Sequence, residues 1–199
     1  MDDAAASSEG SKPFERKINV YAVYGNGRAT EGGDMHWRAY EVGFGDVLND
    51  YFSVYLSYLN EGHPVDHHRD GFAALGSFRW PVGNRLALEF SAGPYFSMDT
   101  THVDNAVRNE KRWGVRASAA QLWYVAPIKI KWTLSAGVGP YVSRDRNEAS
   151  STMRLNALLS AQVTCQVTND WAASLRFNRV ATGNDKGQDM FMVGLARNF

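Results

Sequence analysis

The chain has 199 residues, enough for one domain, and no shift in composition divides it. Its 21 basic and 21 acidic side chains cancel, which removes the basic footprint expected of a nucleic-acid-binding protein. Hydrophobic residues make up 44% of it, yet no apolar run approaches the roughly 20 residues of a helical membrane span, so a helical membrane protein is excluded.

The opening MDDAAASSEGSKP is polar and rich in small residues, and residues 1–13 read as a flexible tail. Period two takes over after it. Ten strands are predicted, at about 16–29, 36–46, 51–61, 70–81, 85–99, 111–125, 129–143, 152–167, 171–181 and 188–199. In the fifth, Leu86, Leu88, Phe90, Ala92 and Phe96 alternate with Ala87, Glu89, Ser91, Gly93, Tyr95 and Ser97. In the seventh, Ile130, Trp132, Leu134, Ala136 and Val138 oppose Lys131, Thr133, Ser135, Gly137 and Gly139. The eighth sets Leu155, Ala157, Leu159 and Val163 against Arg154, Asn156, Ser160 and Gln162. The single Cys165 falls on its apolar face and has no cysteine to pair with.

These segments exceed the usual strand of about 5–6 residues and reach the ~9–11 that a membrane strand needs. Their polar face carries Glu41, Arg79, Glu89, Arg116, Lys131, Arg154 and Arg176, a mixture of signs able to pair inside a narrow lumen. A soluble sheet with those charges in water is the alternative. The connections VLND, PVGN, VAPI and TND are tight, while those near 30–35, 62–69, 100–110, 144–151 and 182–187 are longer and charged. Trp80, Trp123, Trp132 and Trp171 stand beside the tight turns, and Trp37, Phe96 and Trp113 toward the long connections. Together these features predict an all-β, antiparallel up-and-down transmembrane barrel over residues 14–199, of ten strands or eight. It is expected in a bacterial outer membrane, as a monomer, with its long loops facing outward. The last residue, Phe199, looks like the carboxy-terminal signature of such barrels. Export needs a signal peptide and the opening residues have none, so the sequence reads as a mature chain behind an added Met1.

All five histidines fall on the long-connection side: His36, then His63, His67 and His68 in NEGHPVDHHRDG, and His102 in SMDTTHVDN. Glu61, Asp66, Asp70, Ser97, Asp99 and Asp104 are their neighbours in sequence. Histidine can take a proton from a hydroxyl near neutral pH while an acid orients its ring, so the parts of a hydrolase or acyltransferase gather at one end. Ordinary surface loops with incidental histidines are the alternative. A metal site at His63, His67 and His68 is weaker, because no regular element sets the ligand spacing. No metal and no organic cofactor is expected.

Pro94 and Pro140 sit inside long strands, in the near-repeat SAGPYFSMD and SAGVGPYVSRD. Proline lacks the N–H that a ladder requires, so each is expected either to open the wall and admit a lipid chain sideways or simply to mark a bulge. Gly93, Gly137 and Gly139 would leave room inside for such a chain.

Histidine, serine and acid at the outer rim, together with proline-weakened strands, resemble the lipid A palmitoyltransferase family, and particularly its divergent pseudomonad type. The resemblance is one of architecture and residue types spread over the chain, with no diagnostic motif aligned; ten strands and no amphipathic amino-terminal helix depart from the enteric members. It implies transfer of an acyl chain from a phospholipid donor to a lipid A acceptor, with a base among His36, His63, His67 and His68, and with Ser97 and either Asp99 or Asp70 beside it. The lipid A deacylase family is the nearest rival. Its late-strand Phe-x-His followed by Ser is replaced here by Phe177, Asn178, Arg179, Val180 and Ala181. A hydrolase built from the other loops, or a non-catalytic barrel with ligand-binding loops, completes the alternatives.

Overall fold

The computed structural model describes residues 17–29, 37–63, 67–103, 106–125, 127–145, 148–182 and 188–199. Alternation of apolar and polar residues produces ten strands: β1 (Lys17–Ala29), β2 (Trp37–Val47), β3 (Phe52–His63), β4 (His67–Pro81), β5 (Leu86–Val103), β6 (Ala106–Val125), β7 (Ile128–Asp145), β8 (Glu148–Gln166), β9 (Trp171–Thr182) and β10 (Gln188–Asn198). Each pairs antiparallel with its sequence neighbours, and β10 closes on β1, so the sheet is a closed up-and-down barrel. The closing seam runs to the chain end, where Phe199 and Ile18 exchange backbone hydrogen bonds of 2.8 and 3.3 Å.

Three of the tight turns share one construction. Leu48, Val82 and Val167 each donate a backbone N–H of 2.9 Å across the turn, to Phe52, Leu86 and Trp171 respectively. Asn49 Oδ1 accepts from the amides of Tyr51 and Phe52, both at 2.9 Å, and Thr168 Oγ1 accepts from Trp171 at 3.0 Å. Such short polar side chains take the place of a backbone acceptor and hold the reversal.

The other end differs from expectation in one respect. Residues near 100–110 and 144–151 are polar enough to read as loops, yet β5 runs to Val103 and β6 starts at Ala106, while β7 runs to Asp145 and β8 starts at Glu148. A strand above the bilayer needs no apolar face, so the hydropathy signal stops where the lipid stops and the ladder continues.

Outside, the exposed residues form an apolar belt between two aromatic levels. Tyr51, Phe52, Phe78, Trp80, Trp123, Trp171 and Phe199 stand at the short-turn end. Toward the other end Tyr58, Phe72, Phe96 and Trp113 follow one another across β3 to β6 as cross-strand partners. From Phe72 to Trp80 strand β4 rises about 26 Å at ~3.3 Å per residue, or roughly 20 Å of depth at a tilt of about 40°. A closed barrel wrapped in such a belt is a transmembrane barrel of the outer-membrane type, with its longer strand ends facing outward.

Inside, paired charges line the described lumen-facing strands. Near the short turns Arg79 Nη2 donates to Glu89 Oε2 at 3.3 Å. At mid-height Arg176 donates to Glu41 Oε2 at 2.6 Å and to Gln162 Oε1 at 3.0 Å, and Tyr21 Oη donates to the other Glu41 oxygen at 2.7 Å. Arg176 lies on β9 and Glu41 on β2, so this bond cuts across the barrel over β10 and β1. The Arg116 guanidinium covers the Tyr95 ring, 5.4 Å from its centroid.

Candidate functional site

The predicted site residues cluster where β3, β4 and β5 leave the belt, and the strand period then sends them to two sides of the wall. His68 and Asp70 share the outward face of β4 with the exposed Phe72. His68 Nε2 lies 2.9 Å from Asp70 Oδ2. The other carboxylate oxygen, Oδ1, accepts from Tyr58 Oη at 2.6 Å and from Asn60 Nδ2 at 2.8 Å. Tyr58 and Asn60 reach it from the outward face of β3, where Asn60 is the cross-strand partner of Asp70. Three donors thus hold one carboxylate, and the carboxylate orients one ring. Thr100 on β5 is the cross-strand partner of His68, and its hydroxyl donates to Asn109 on β6 at 3.0 Å.

Arg69, between His68 and Asp70 in sequence, points the opposite way. Its Nε and Nη2 donate to the two oxygens of Asp99, each at 2.9 Å, and its Nη1 donates to Glu61 at 2.7 Å. Glu61 and Asp99 are 4% and 2% exposed, so this triad is buried against the lumen side of β3, β4 and β5. The doubly bonded guanidinium–carboxylate pair is the strongest form of such contact. Ser97 lies on that inward face, half-buried, opposite Gly71. The wall therefore separates Ser97 and Asp99 from His68 and Asp70.

His63 ends β3 half-buried, and its backbone is paired with that of His67. At His67, and at Gly137, Gly139 and Pro140, only the backbone is described, and His36 lies outside the described residues, as do residues 1–13. His102 is exposed near the end of β5. Among the described residues no three metal-ligand side chains converge. Tyr58, Asn60 and Arg69 escaped the sequence reading. Their signal was parity: 58 and 60 share the outward face with 68 and 70 once β3 and β4 are placed in register.

Both prolines interrupt the wall. The β4–β5 ladder runs through Ala73–Tyr95 and resumes at Gly76–Ala92 in the same register, skipping Ala74, Leu75, Gly93 and Pro94. The β6–β7 ladder skips Trp113, Gly114, Gly139 and Pro140 in the same manner, between Arg112–Tyr141 and Val115–Val138. On their other sides the ladders are intact, pairing Pro94 with Val115 and Pro140 with Met153. The missing proline N–H accounts for both breaks. Gly93 does not leave open space: a Cβ there would overlap the carbonyl of Ala74. It is glycine because two backbones approach closely.

No protein-family model matches the chain, and no curated protein does. Solved structures do. The outer membrane protease OmpT of Escherichia coli superposes with a TM-score of 0.59 at 9% identity, over 96% of this chain and 99% of its own. The N-terminal β-barrel domain of Pseudomonas aeruginosa OprF gives 0.47 at 15% identity over 94% and 99%. Ail, the attachment invasion locus protein of Yersinia pestis, gives 0.46 at 13% over 93% and 99%. At these identities the likeness is one of fold.

Proposed function

We propose that this barrel is an outer-membrane enzyme that transfers an acyl chain from a phospholipid to lipid A, with His68 as its base. The observation that carries the reading is the His68–Asp70 pair on the lipid side of the wall, just above the outer aromatic level. With Nε2–H donated to Asp70, Nδ1 keeps a lone pair able to accept a proton. The acceptor lipid's hydroxyl loses its proton to Nδ1 as its oxygen attacks the donor's acyl carbonyl. The tetrahedral intermediate then expels the lysophospholipid oxygen, which takes that proton back from His68. One ester forms, one breaks, and His68 ends as it began.

Direct transfer between two lipids needs no protein nucleophile, which suits a base separated from Ser97 by the wall. The ladder breaks at Pro94 and Pro140 would give a chain its way through the wall, with Gly137 and Gly139 beside the second. A second reading, a non-catalytic barrel, draws on the engagement of Glu61 and Asp99 by Arg69, which makes those acids structural.

The test is mass spectrometry of lipid A from cells with and without the protein, under conditions that bring phospholipid to the outer leaflet. Gain of one acyl chain, abolished by His68→Ala in a folded barrel, supports the transferase. Loss of a chain indicates an esterase that uses water, and an unchanged spectrum indicates a non-catalytic barrel.

A further inference from the structure

On the lipid-facing side of β8, β9, β10, β1 and β2 the wall carries a shallow cavity of about 720 Å³, away from the proline breaks. Its floor is low because Ala22, Ala173 and Cys165 are small, and Tyr24, Leu175 and Val193 stand around them. The register places these residues in two neighbouring rows, Cys165–Ala173–Leu195–Ala22–Val42 and Val163–Leu175–Val193–Tyr24–Tyr40. An apolar hollow of this kind, at membrane depth, takes hydrocarbon.

The same strands become cationic above the hollow. β1 continues outward from Tyr24 to Arg28, β2 from Tyr40 to Arg38, and β9 from Leu175 to Arg179, all three arginines on the outward face and exposed. Asp189 on β10 is the cross-strand partner of both Arg28 and Arg179. Arg179 engages both oxygens of Asp189, at 2.9 and 3.1 Å. Among the described residues of this strip three arginines stand against one aspartate, and no acid pairs with Arg28 or Arg38.

We infer that the hollow and the arginine strip form one seat for a phosphorylated glycolipid of the lipid A type, chains down and head up. Width selects that lipid over a phospholipid. Arg28 and Arg38, the arginines without an acid partner among the described residues, stand on neighbouring strands, and the hollow beneath the strip spans four strand spacings, about 19 Å. A head with phosphates at both ends of a disaccharide, above several chains, covers that width; a single phosphate above two chains does not. Guanidinium is the side chain best matched to phosphate oxygens. The seat also reaches the candidate base: Arg38, Gly62 and His68 are successive cross-strand neighbours, so Arg38 lies about 10 Å from His68 along the wall. The proposal deepens the transferase reading, and rests on it for the lipid's part as acceptor.

The test measures binding without turnover, so that the two readings fail separately. Full-length barrel in nanodiscs is exposed to lipid A, to dephosphorylated lipid A and to phosphatidylglycerol, and the lipid retained is read by native mass spectrometry. Retention of lipid A at least tenfold above the other two is expected. The double variant R28A/R38A should lose that tenfold preference, and Ala22→Trp, which fills the floor with the arginines intact, should lower lipid A retention while leaving a heat-resistant barrel. His68→Ala should retain lipid A as the wild type does. Equal retention by R28A/R38A, or equal retention of phosphatidylglycerol, overturns the seat whatever the enzyme does. Selective retention by a barrel without transferase activity upholds the seat and sinks the transferase.

Discussion

Arg69 and Asp99 face each other across β4 and β5 through two parallel hydrogen bonds of 2.9 Å, with Glu61 on the third guanidinium nitrogen. Removing the cation from two buried carboxylates is far costlier than removing a surface pair. Arg69→Ala is expected to destabilise the barrel by about 3–5 kcal/mol. Equilibrium urea unfolding in lipid vesicles measures it, and a change below about 1 kcal/mol would mean that water reaches this triad.

His68 and Asp70 are a different case, because their side chains lie on the outer surface and carry little of the fold. His68→Ala should lower kcat about 10²–10⁴-fold, the usual range for a lost general base, with the unfolding midpoint unchanged. Asp70→Asn sets an amide NH2 against one of the three donors, so it should loosen or re-protonate the ring and also lower kcat. Initial rates of acyl transfer between defined lipids decide both; a rise in KM alone would make the pair a binding element.

Gly93 is fixed by the Ala74 carbonyl that a side chain would overlap. Gly93→Ala is therefore expected to cost about 1–3 kcal/mol through forced backbone displacement. A refolding assay in which the variant matches the wild type would show that the two strands can part there without penalty.

The bond from Arg176 to Glu41 crosses the lumen between strands that are not paired, with β10 and β1 between them. Wild-type barrel in a planar bilayer should pass no steady current, and Arg176→Ala should introduce brief openings. Steady current through the wild type would mean that the charged layers leave a continuous water path.

Strand period, aromatic levels and turn composition made the barrel legible in the sequence, since lipid on one side and paired charge on the other impose a strict alternation. Leu86, Leu88 and Phe90 against Ala87, Glu89 and Ser91 was enough to assign the faces. What alternation cannot show is where a strand ends once it is in water: Thr100 and Asn109 look like loop residues and are joined by a hydrogen bond between strands. The candidate site was legible as a list of residue types and as a position at the outer end. Its division was hidden, because His68, Arg69 and Asp70 are adjacent in sequence and the pleat puts the middle one inside. The partners Tyr58 and Asn60 come from another strand, and only a register fixes which residues meet.

The two proline breaks flank β5 and β6 at about the same height, while the ladder joining β5 to β6 is continuous from Leu86–Trp123 to Val103–Ala106. That pair is joined along its whole length, and each of its outer ladders carries one gap of two residue pairs. At each gap the wall lacks ladder hydrogen bonds, so less is lost when it parts there than along an unbroken ladder. A hydrocarbon chain entering from the bilayer would need the wall to part at one gap, with the barrel around it still folded.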